Sequence, residues 1–266
     1  MSVPSDDAGW RRLIRSGQAP FWRLLAEKSG AEVIEREGVL AAIFPEAPDR
    51  SIFNSVFYED GQALIGMLDE LAGAYEQAGV RAWTVWVPED DTAIAEALVT
   101  AGHHDDAQPR DMGMEISALR RPEPDDGLEI REEYDLATMA RINEAAYGWA
   151  EGEFGPMEGA VIPEMRVYLG AIDGETVSSA AIWPNGSDAE VNWVATLPEG
   201  RGRGISGRLL AWALDDARDR GLVTTTLVST KLGYPVYSKL GYRDFGAMHM
   251  WERRKAAPSR SEGRSP

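Results

Sequence analysis

The feature that most restricts the fold of this chain is a glycine-rich segment, RGRGISGRLL, which covers residues 201–210. It follows an apolar run and opens a stretch with the apolar spacing of a helix. Gly202, Gly204 and Gly207 let the backbone turn sharply and let its amides face an anion where that helix begins. The segment therefore predicts a strand, a loop and a helix in that order, with a phosphate-bearing ligand at the loop.

The same glycines fit the GxGxxG pattern, so a dinucleotide-binding oxidoreductase is one alternative. That pattern expects an acidic residue about 20 positions later, at the tip of the next strand. The corresponding region, LVTTTLVST, has none, and only about 60 residues follow the loop. No Gly-Lys-Ser/Thr follows, as a P-loop would require. The surroundings of the loop favour a different phosphate ligand.

The second half of the chain predicts an α/β domain with a mixed central sheet and flanking helices. Asp135 can cap a helix that continues to about Tyr147. Asp173-Gly174 and Asn185-Gly186 are hairpin signals, which predicts three antiparallel strands before the loop. The segments after the loop are a helix over 207–220, the strand LVTTTLVS, the short helix YPVYSKLG and the strand YRDFGAMHMW. This order predicts a parallel, right-handed pair of strands around the loop and helix.

The first half repeats this order, which suggests two related domains. Its predicted segments are the strands AEVIERE, GVLAAIF and SIFNSVFY, the helix ALIGMLDELAGAYEQAG, the strand RAWTVWV, the helix TAIAEALVTAG and the strand DMGMEI. Two prolines and a charge cluster in LRRPEPDDG mark the boundary. We predict an N-terminal domain over 1–120, a second domain over 127–253, and a polar, disordered tail over 254–266.

From residue 127 onward, over about 130 residues, the chain resembles the GNAT-type N-acetyltransferases. The family's pyrophosphate-binding pattern, Arg/Gln-x-x-Gly-x-Gly/Ala, reads here as residues 201–206, with the small Ser206 at the last position. PVYSKLGYR resembles the family's tyrosine-bearing helix and the Gly-aromatic turn after it. The resemblance implies an acyl-CoA N-acyltransferase fold, acetyl-CoA as co-substrate without a metal, and transfer of the acetyl group to a primary amine.

The resemblance also implies roles for two side chains. Tyr237, four residues before Gly241, stands where the family has its general acid, and a phenol can protonate a departing thiolate. Glu190, eleven positions before Arg201, matches the general-base glutamate of the histone-acetyltransferase branch. The structural alternatives are a core tyrosine and a solvated strand end beside Asp188.

The residues expected to hold the coenzyme come from the fourth strand, the glycine loop and the end of the fifth strand. They are Val194, Ala195, Thr196, Arg201, Gly202, Arg203, Gly204, Ile205, Ser206 and Thr230. The amides of Val194 and Thr196 are the candidates for the acetyl carbonyl and the pantetheine arm. Thr230 stands where many members of the family have an asparagine, so that contact is altered. We expect the acceptor to enter near Tyr147, Trp149, Glu151 and Glu153.

Charge and composition limit the partners. The chain has 27 Lys and Arg against 44 Asp and Glu, a formal charge of −17, which repels nucleic acid and anionic membranes. A small-molecule or peptide amine, including a cationic one, is compatible with it, and a homodimer stays open. The absence of cysteine excludes thiol nucleophiles, and the adjacent His103 and His104 point apart, which disfavours a metal site. Without an apolar leader or a membrane-length run, we expect a soluble, cytoplasmic protein.

The first half lacks the residues that coenzyme binding and catalysis need. An alignment of the two halves puts Leu98 at the position of Tyr237, and Glu59 and Asp60 at the glycine loop. Residues 1–120 carry 10 basic and 21 acidic side chains, a net −11. We therefore expect a degenerate N-terminal half and a single catalytic site. Because an acetyl-cysteine intermediate is impossible, transfer should occur directly in a ternary complex, and a non-catalytic acyl-CoA-binding or sensor protein is the other alternative.

Overall fold

The computed structural model describes residues 3–124 and 127–255. The elements of the N-terminal half are α1 (Asp7–Ser29), β1 (Glu32–Arg36), β2 (Val39–Ile43), β3 (Ser55–Tyr58), α2 (Gly61–Gln77), β4 (Ala82–Pro88), α3 (Thr92–Thr100), β5 (His104–Ala107) and β6 (Arg110–Glu115). Those of the C-terminal half are β7 (Leu128–Glu132), α4 (Leu136–Tyr147), α5 (Gly155–Glu158), β8 (Arg166–Ile172), β9 (Glu175–Asn185), β10 (Asp188–Thr196), α6 (Ile205–Asp219), β11 (Thr224–Ser229), α7 (Tyr234–Leu240) and β12 (Arg243–Arg254).

These strands form one mixed sheet with helices against it, as predicted. The strand order is β1-β2-β3-β4-β12-β6-β11-β10-β9-β8-β7, and β5 pairs with β12 beside this path. Two pairs are parallel, β3 with β4 and β10 with β11, and the other described pairs are antiparallel. Each parallel pair encloses one crossover helix, α2 or α6. The order of elements in the first half therefore repeats in the second.

Local sequence explains where the C-terminal helices begin and end. Asp135 caps α4, since its carboxylate accepts a hydrogen bond from the Thr138 amide at 2.9 Å, and Gly148 ends that helix at a φ of 69°. Helix α6 begins at Ile205, two residues earlier than predicted, because Gly204 at a φ of 74° is its N-cap. The predicted hairpins at Asp173-Gly174 and Asn185-Gly186 are confirmed by the pairing of β8, β9 and β10.

Two strands cross between the halves of the chain. β6 belongs to the first 120 residues, yet it pairs with β11 and with the beginning of β12. The remainder of β12 pairs with β4, from Met248 opposite Pro88 to Arg254 opposite Ala82. The linker at 119–127 therefore separates the two halves along the chain, but the strands of both halves belong to one sheet. β12 includes Arg254, where the predicted tail begins, and residues 256–266 of that tail lie outside the described residues.

Helix α1 is a long element that the sequence analysis does not anticipate. Its buried residues follow one another at helical spacing and are Trp10, Leu13, Ile14, Gly17, Gln18, Phe21, Trp22, Leu25 and Ala26. They pack against the sheet at β2, β6 and β11 and against α5. α1 thus lies over both halves of the molecule. No helix in the described ranges has the length and apolar character that crossing a membrane requires.

Candidate active site

The site begins where two parallel strands separate. β10 and β11 pair only from Asp188 opposite Thr224 to Glu190 opposite Thr226. Beyond that point β11 stays paired with β6 as far as Ser229, while β10 stays with β9. Leu197 donates its amide to β9, and since amides alternate along a strand, the amide of Thr196 faces the gap instead. The separation therefore leaves backbone donors of β10 without a strand partner.

A bulge in β10 lies beside this gap. The register with β9 shifts between Asn192 and Ala195, and Trp193 adopts a φ of 54°. A bulky residue rarely adopts this left-handed conformation unless its surroundings enforce it. The Trp193 ring packs in an aromatic cluster, 5.8 Å from the Phe53 ring and 4.7 Å from the Phe154 ring. This packing stabilises the bulge and re-aims the second half of β10.

The glycine loop leads from β10 into α6. Gly202 and Gly204 both have positive φ, 76° and 74°, which glycine tolerates without strain. Gly204 has no side chain, so the first amides of α6 have no side-chain cap. A helix N-terminus with open amides carries partial positive charge and binds phosphate groups. The loop therefore fits the pyrophosphate of an acyl-coenzyme.

The arginines near the loop have different positions. Arg201 donates 2.6 Å to the Ala146 carbonyl and 3.3 Å to the Thr196 carbonyl, which connects α4, β10 and the loop. The exposed Arg203 side chain is not among those lining the cavity described next, and its carbonyl accepts a hydrogen bond from Arg208.

A cavity of about 670 Å³ runs from this loop through the strand gap toward the N-terminal half. Of the ten residues predicted to bind the coenzyme, all but Arg203 line it, and so do Tyr237 and Glu190. Thr230 also lines the cavity. Its hydroxyl accepts a 3.2 Å hydrogen bond from the amide of Gly233, at the beginning of α7. The structure thus brings all of the predicted residues except Arg203 to one cavity.

Tyr237 enters the cavity from α7. Its side chain is buried, and the Gly233 backbone lies so close that a β-carbon there would be 2.7 Å from the ring. Burial, and to a smaller degree the neighbouring Tyr147, raise the pKa of Tyr237 above its ordinary value. The phenol therefore keeps its proton at neutral pH and is available as a donor to negative charge that develops on a departing sulfur.

Glu190 is a buried carboxyl on the last paired residue of β10. Burial, together with the nearby Asp188 carboxylate, raises its pKa from 4.5 to about 8. Its Oε1 accepts a 3.4 Å hydrogen bond from Asn192. Its Oε2 has no partner among the described residues and lies against the backbone of α1, where a β-carbon at Gly17 would overlap it. An acid with this pKa exchanges protons near neutral pH, as a general base must.

The raised pKa predicts a stability change in Glu190→Gln. Between pH 4.5 and 8 the unfolded chain has released this proton while the folded protein keeps it, so wild-type stability falls as pH rises. Glutamine has no such proton. We expect equal unfolding free energies at pH 4 and a gain of about 5 kcal/mol for the variant at pH 9, measured by denaturant titration. The exposed Glu175→Gln should show no such gain. If Glu190→Gln is also no more stable than the wild type at pH 9, the raised pKa of Glu190 is wrong.

The equivalent position in the N-terminal half is closed. α2 follows β3 as α6 follows β10, but its N-cap is Asp60. The Asp60 carboxylate accepts hydrogen bonds from the amides of Gln62 and Ala63 at 2.8 and 3.2 Å. These amides are therefore occupied by the protein's own negative charge. Leu98, on α3, is fully buried in the core of that half.

The predicted acceptor entrance divides into two groups. Tyr147 and Trp149 line the cavity. Glu153 instead forms an ion pair with Arg50 and accepts a hydrogen bond from the Ala150 amide, and Glu151 is exposed away from the cavity. Asp106 and Glu252, which also line the cavity, approach His104, and these three are the one group of metal-type side chains that the described ranges bring together. Both oxygens of Glu252 are already bonded to Arg254.

Helix α1 forms one wall of the cavity, which the sequence analysis did not predict. Ile14, Gln18 and Trp22 line the cavity from one face of α1, and Gly17 covers Glu190. The sequence signal for this helix is a series of mostly apolar residues at spacings of three and four. It is weakened because Gly17 and Gln18 occupy positions that are usually apolar. Pro20, inside the helix, further obscured the pattern.

Comparison with known proteins agrees with this geometry. Residues 163–244 match the family model described as acetyltransferase (GNAT) domain. Similar solved structures include a GCN5-related N-acetyltransferase from Kribbella flavida (17% identity, TM-score 0.66, 90% of this chain and 96% of that one) and another from Sphaerobacter thermophilus (16%, 0.61, 96% and 98%). A tandem GNAT protein from the clavulanic acid biosynthesis pathway is also similar (12%, 0.57, 85% and 82%). A search of curated proteins found no match. At these identities the structural likeness establishes the fold.

Proposed function

We propose that this chain, whose residues 163–244 match the acetyltransferase (GNAT) domain, acetylates a primary amine of a small molecule or peptide with acetyl-CoA. The observation that carries the proposal is the gap between β10 and β11, which opens on one side to the uncapped amides of α6 and on the other to Glu190. Backbone donors, an anion site and two titratable side chains line one cavity. This set meets the chemical needs of acyl transfer from a thioester.

Each part of the site has one task in this proposal. Acetyl-CoA supplies the thioester carbonyl, at which a C–N bond to the amine forms and the C–S bond breaks. Glu190 accepts the proton that the amine must lose. The Thr196 amide stabilises negative charge as it develops on the acetyl oxygen. Tyr237 donates its proton to the departing thiolate.

The test is an amine panel with acetyl-CoA in which released thiol is measured. We expect initial-rate plots that intersect, because the chain has no cysteine to carry an acetyl group between two half-reactions. Parallel lines would contradict direct transfer. Intact acetyl-CoA binding without thiol release would instead favour an acyl-CoA-binding or sensor protein.

The pH profile tests the role of Glu190. Since the carboxyl must lose its proton before it can act as a base, kcat/KM should rise with pH through about 8. Glu190→Gln should lose this rising limb and at least about a hundredfold in kcat/KM. The exposed Glu175→Gln should keep both the limb and the rate. A wild-type profile flat between pH 6 and 9 would exclude Glu190 as the base.

We also expect one acetyl-CoA per chain. The cap that Asp60 forms on α2 removes the amides that a second pyrophosphate would need. Calorimetric titration of the full chain should give a stoichiometry near one. Two equivalent sites would contradict the degenerate N-terminal half.

A further inference from the structure

Helix α1 contributes a mixed polar and apolar face to the cavity. Ile14, Gln18 and Trp22 follow at intervals of four residues, which places them on one side of the helix. Gly17 lies on the next position of this face, and its backbone covers the Glu190 carboxyl. The face of α1 is therefore adjacent to the group that would receive the proton from the amine.

Gln18 is the unusual member of this face. Only 7% of its surface is exposed, and no described residue forms a hydrogen bond with its side-chain amide. The amide is not sealed in the protein interior but is open to the cavity, where a ligand or a water can bond to it. Because the side chain lines the cavity next to Glu190, an amine bound there would have this amide beside it.

The charged groups of the cavity indicate which amine fits. Three arginines line the cavity within the described residues, and each is engaged: Arg50 with Glu153, Arg201 with backbone carbonyls, and Arg254 with Glu252. Glu153 and Glu252 balance the charges of Arg50 and Arg254. The carboxyls of Glu190 and Asp188 would repel an acceptor carboxylate, whereas a hydroxyl or carboxamide could bond to the Gln18 amide. Trp22 and Trp86 add flat apolar surface to the same cavity.

We propose that α1 forms the acceptor-recognition surface and that Gln18 selects an amine carrying a neutral hydroxyl or carboxamide on an aromatic or other apolar body. This inference rests on the proposed acetyl transfer and adds the substrate class. The absence of a side chain at Gly17 is what lets α1 approach Glu190 so closely.

Four amines with the same ring test the inference: 2-phenylethylamine, phenylalaninol, phenylalaninamide and phenylalanine. With the wild-type chain and acetyl-CoA, we expect kcat/KM to be about tenfold higher for phenylalaninol and phenylalaninamide than for the other two, the size of one good hydrogen bond. This comparison needs no variant. In Gln18→Met, which keeps the length of the side chain, the ratio of phenylalaninol to 2-phenylethylamine should fall to about one. The exposed Gln62→Met should keep the wild-type ratio.

The outcomes separate this inference from the proposed function. A wild-type chain without the preference, or a Gln18→Met variant that retains it, would overturn the role of Gln18. If none of the amines causes thiol release from acetyl-CoA, the proposed acetyl transfer to these amines is wrong. The role of α1 in recognition is then tested by calorimetric measurement of phenylalaninol affinity for the CoA-loaded protein. There, binding about tenfold weaker in Gln18→Met than in Gln62→Met supports the inference, and equal or undetectable binding refutes it.

Discussion

Gly204→Asp should abolish acetyl-CoA binding, with affinity reduced at least about a hundredfold. The variant gives α6 the capping carboxylate that Asp60 gives α2, so the amides would be occupied and a pyrophosphate repelled. A β-carbon at this position would also lie 2.9 Å from Arg208 and sit on a backbone with a φ of 74°. Isothermal titration calorimetry with acetyl-CoA measures the change.

The control for backbone strain is Gly221→Asp. Gly221 follows the opposite end of α6, has a φ of 92°, and has open space around its missing β-carbon. It should lose stability to a similar degree and keep its acetyl-CoA affinity. Equal affinities in the two variants would show that the loop does not hold the coenzyme.

Tyr237→Phe should lower kcat by about a hundredfold or more while KM changes little, because the proton of the phenol matters only as the thiolate departs. Steady-state rates of thiol release with a saturating amine give both constants. The loss should appear at every pH between 6 and 9, since burial keeps the wild-type phenol protonated over this range.

Tyr242→Phe is the matched control for this variant. Tyr242 is also buried, and its ring lies 5.8 Å from that of Tyr237, but its hydroxyl is 2.8 Å from Thr225 and it does not line the cavity. The control should unfold more easily by about 1 kcal/mol and retain kcat. If both variants have wild-type kcat, Tyr237 is not the general acid.

The parts of the fold that depend on local signals were predictable. Hairpin dipeptides give β8, β9 and β10, and the Asp135 cap gives the start of α4. The glycine loop follows from the freedom of glycine at positive φ, which no other residue shares to the same degree. These features are determined within a few residues of chain, so a single sequence is enough.

The remaining features depend on residues far apart. The pKa of Glu190 comes from burial under α1 and from Asp188, and its close approach to Gly17 joins segments more than a hundred residues apart in sequence. The bulge at Trp193 requires an aromatic cluster with Phe53 and Phe154. The pairing of β12 with β4 has no local signal either. The alternation of apolar and polar residues identifies a strand, but it does not identify the strand with which it pairs.

The crossing of β6 and β12 has a consequence for how the protein is made. While the chain is being synthesised, β4 has no neighbour on one side until β12 leaves the ribosome, and β6 has none until β11 does. Open strand edges of this kind invite pairing with other chains, and contacts so distant in sequence form slowly. We expect the nascent first half to depend on chaperones and to complete its sheet only after translation of β12, so the two halves become folded in one cooperative step.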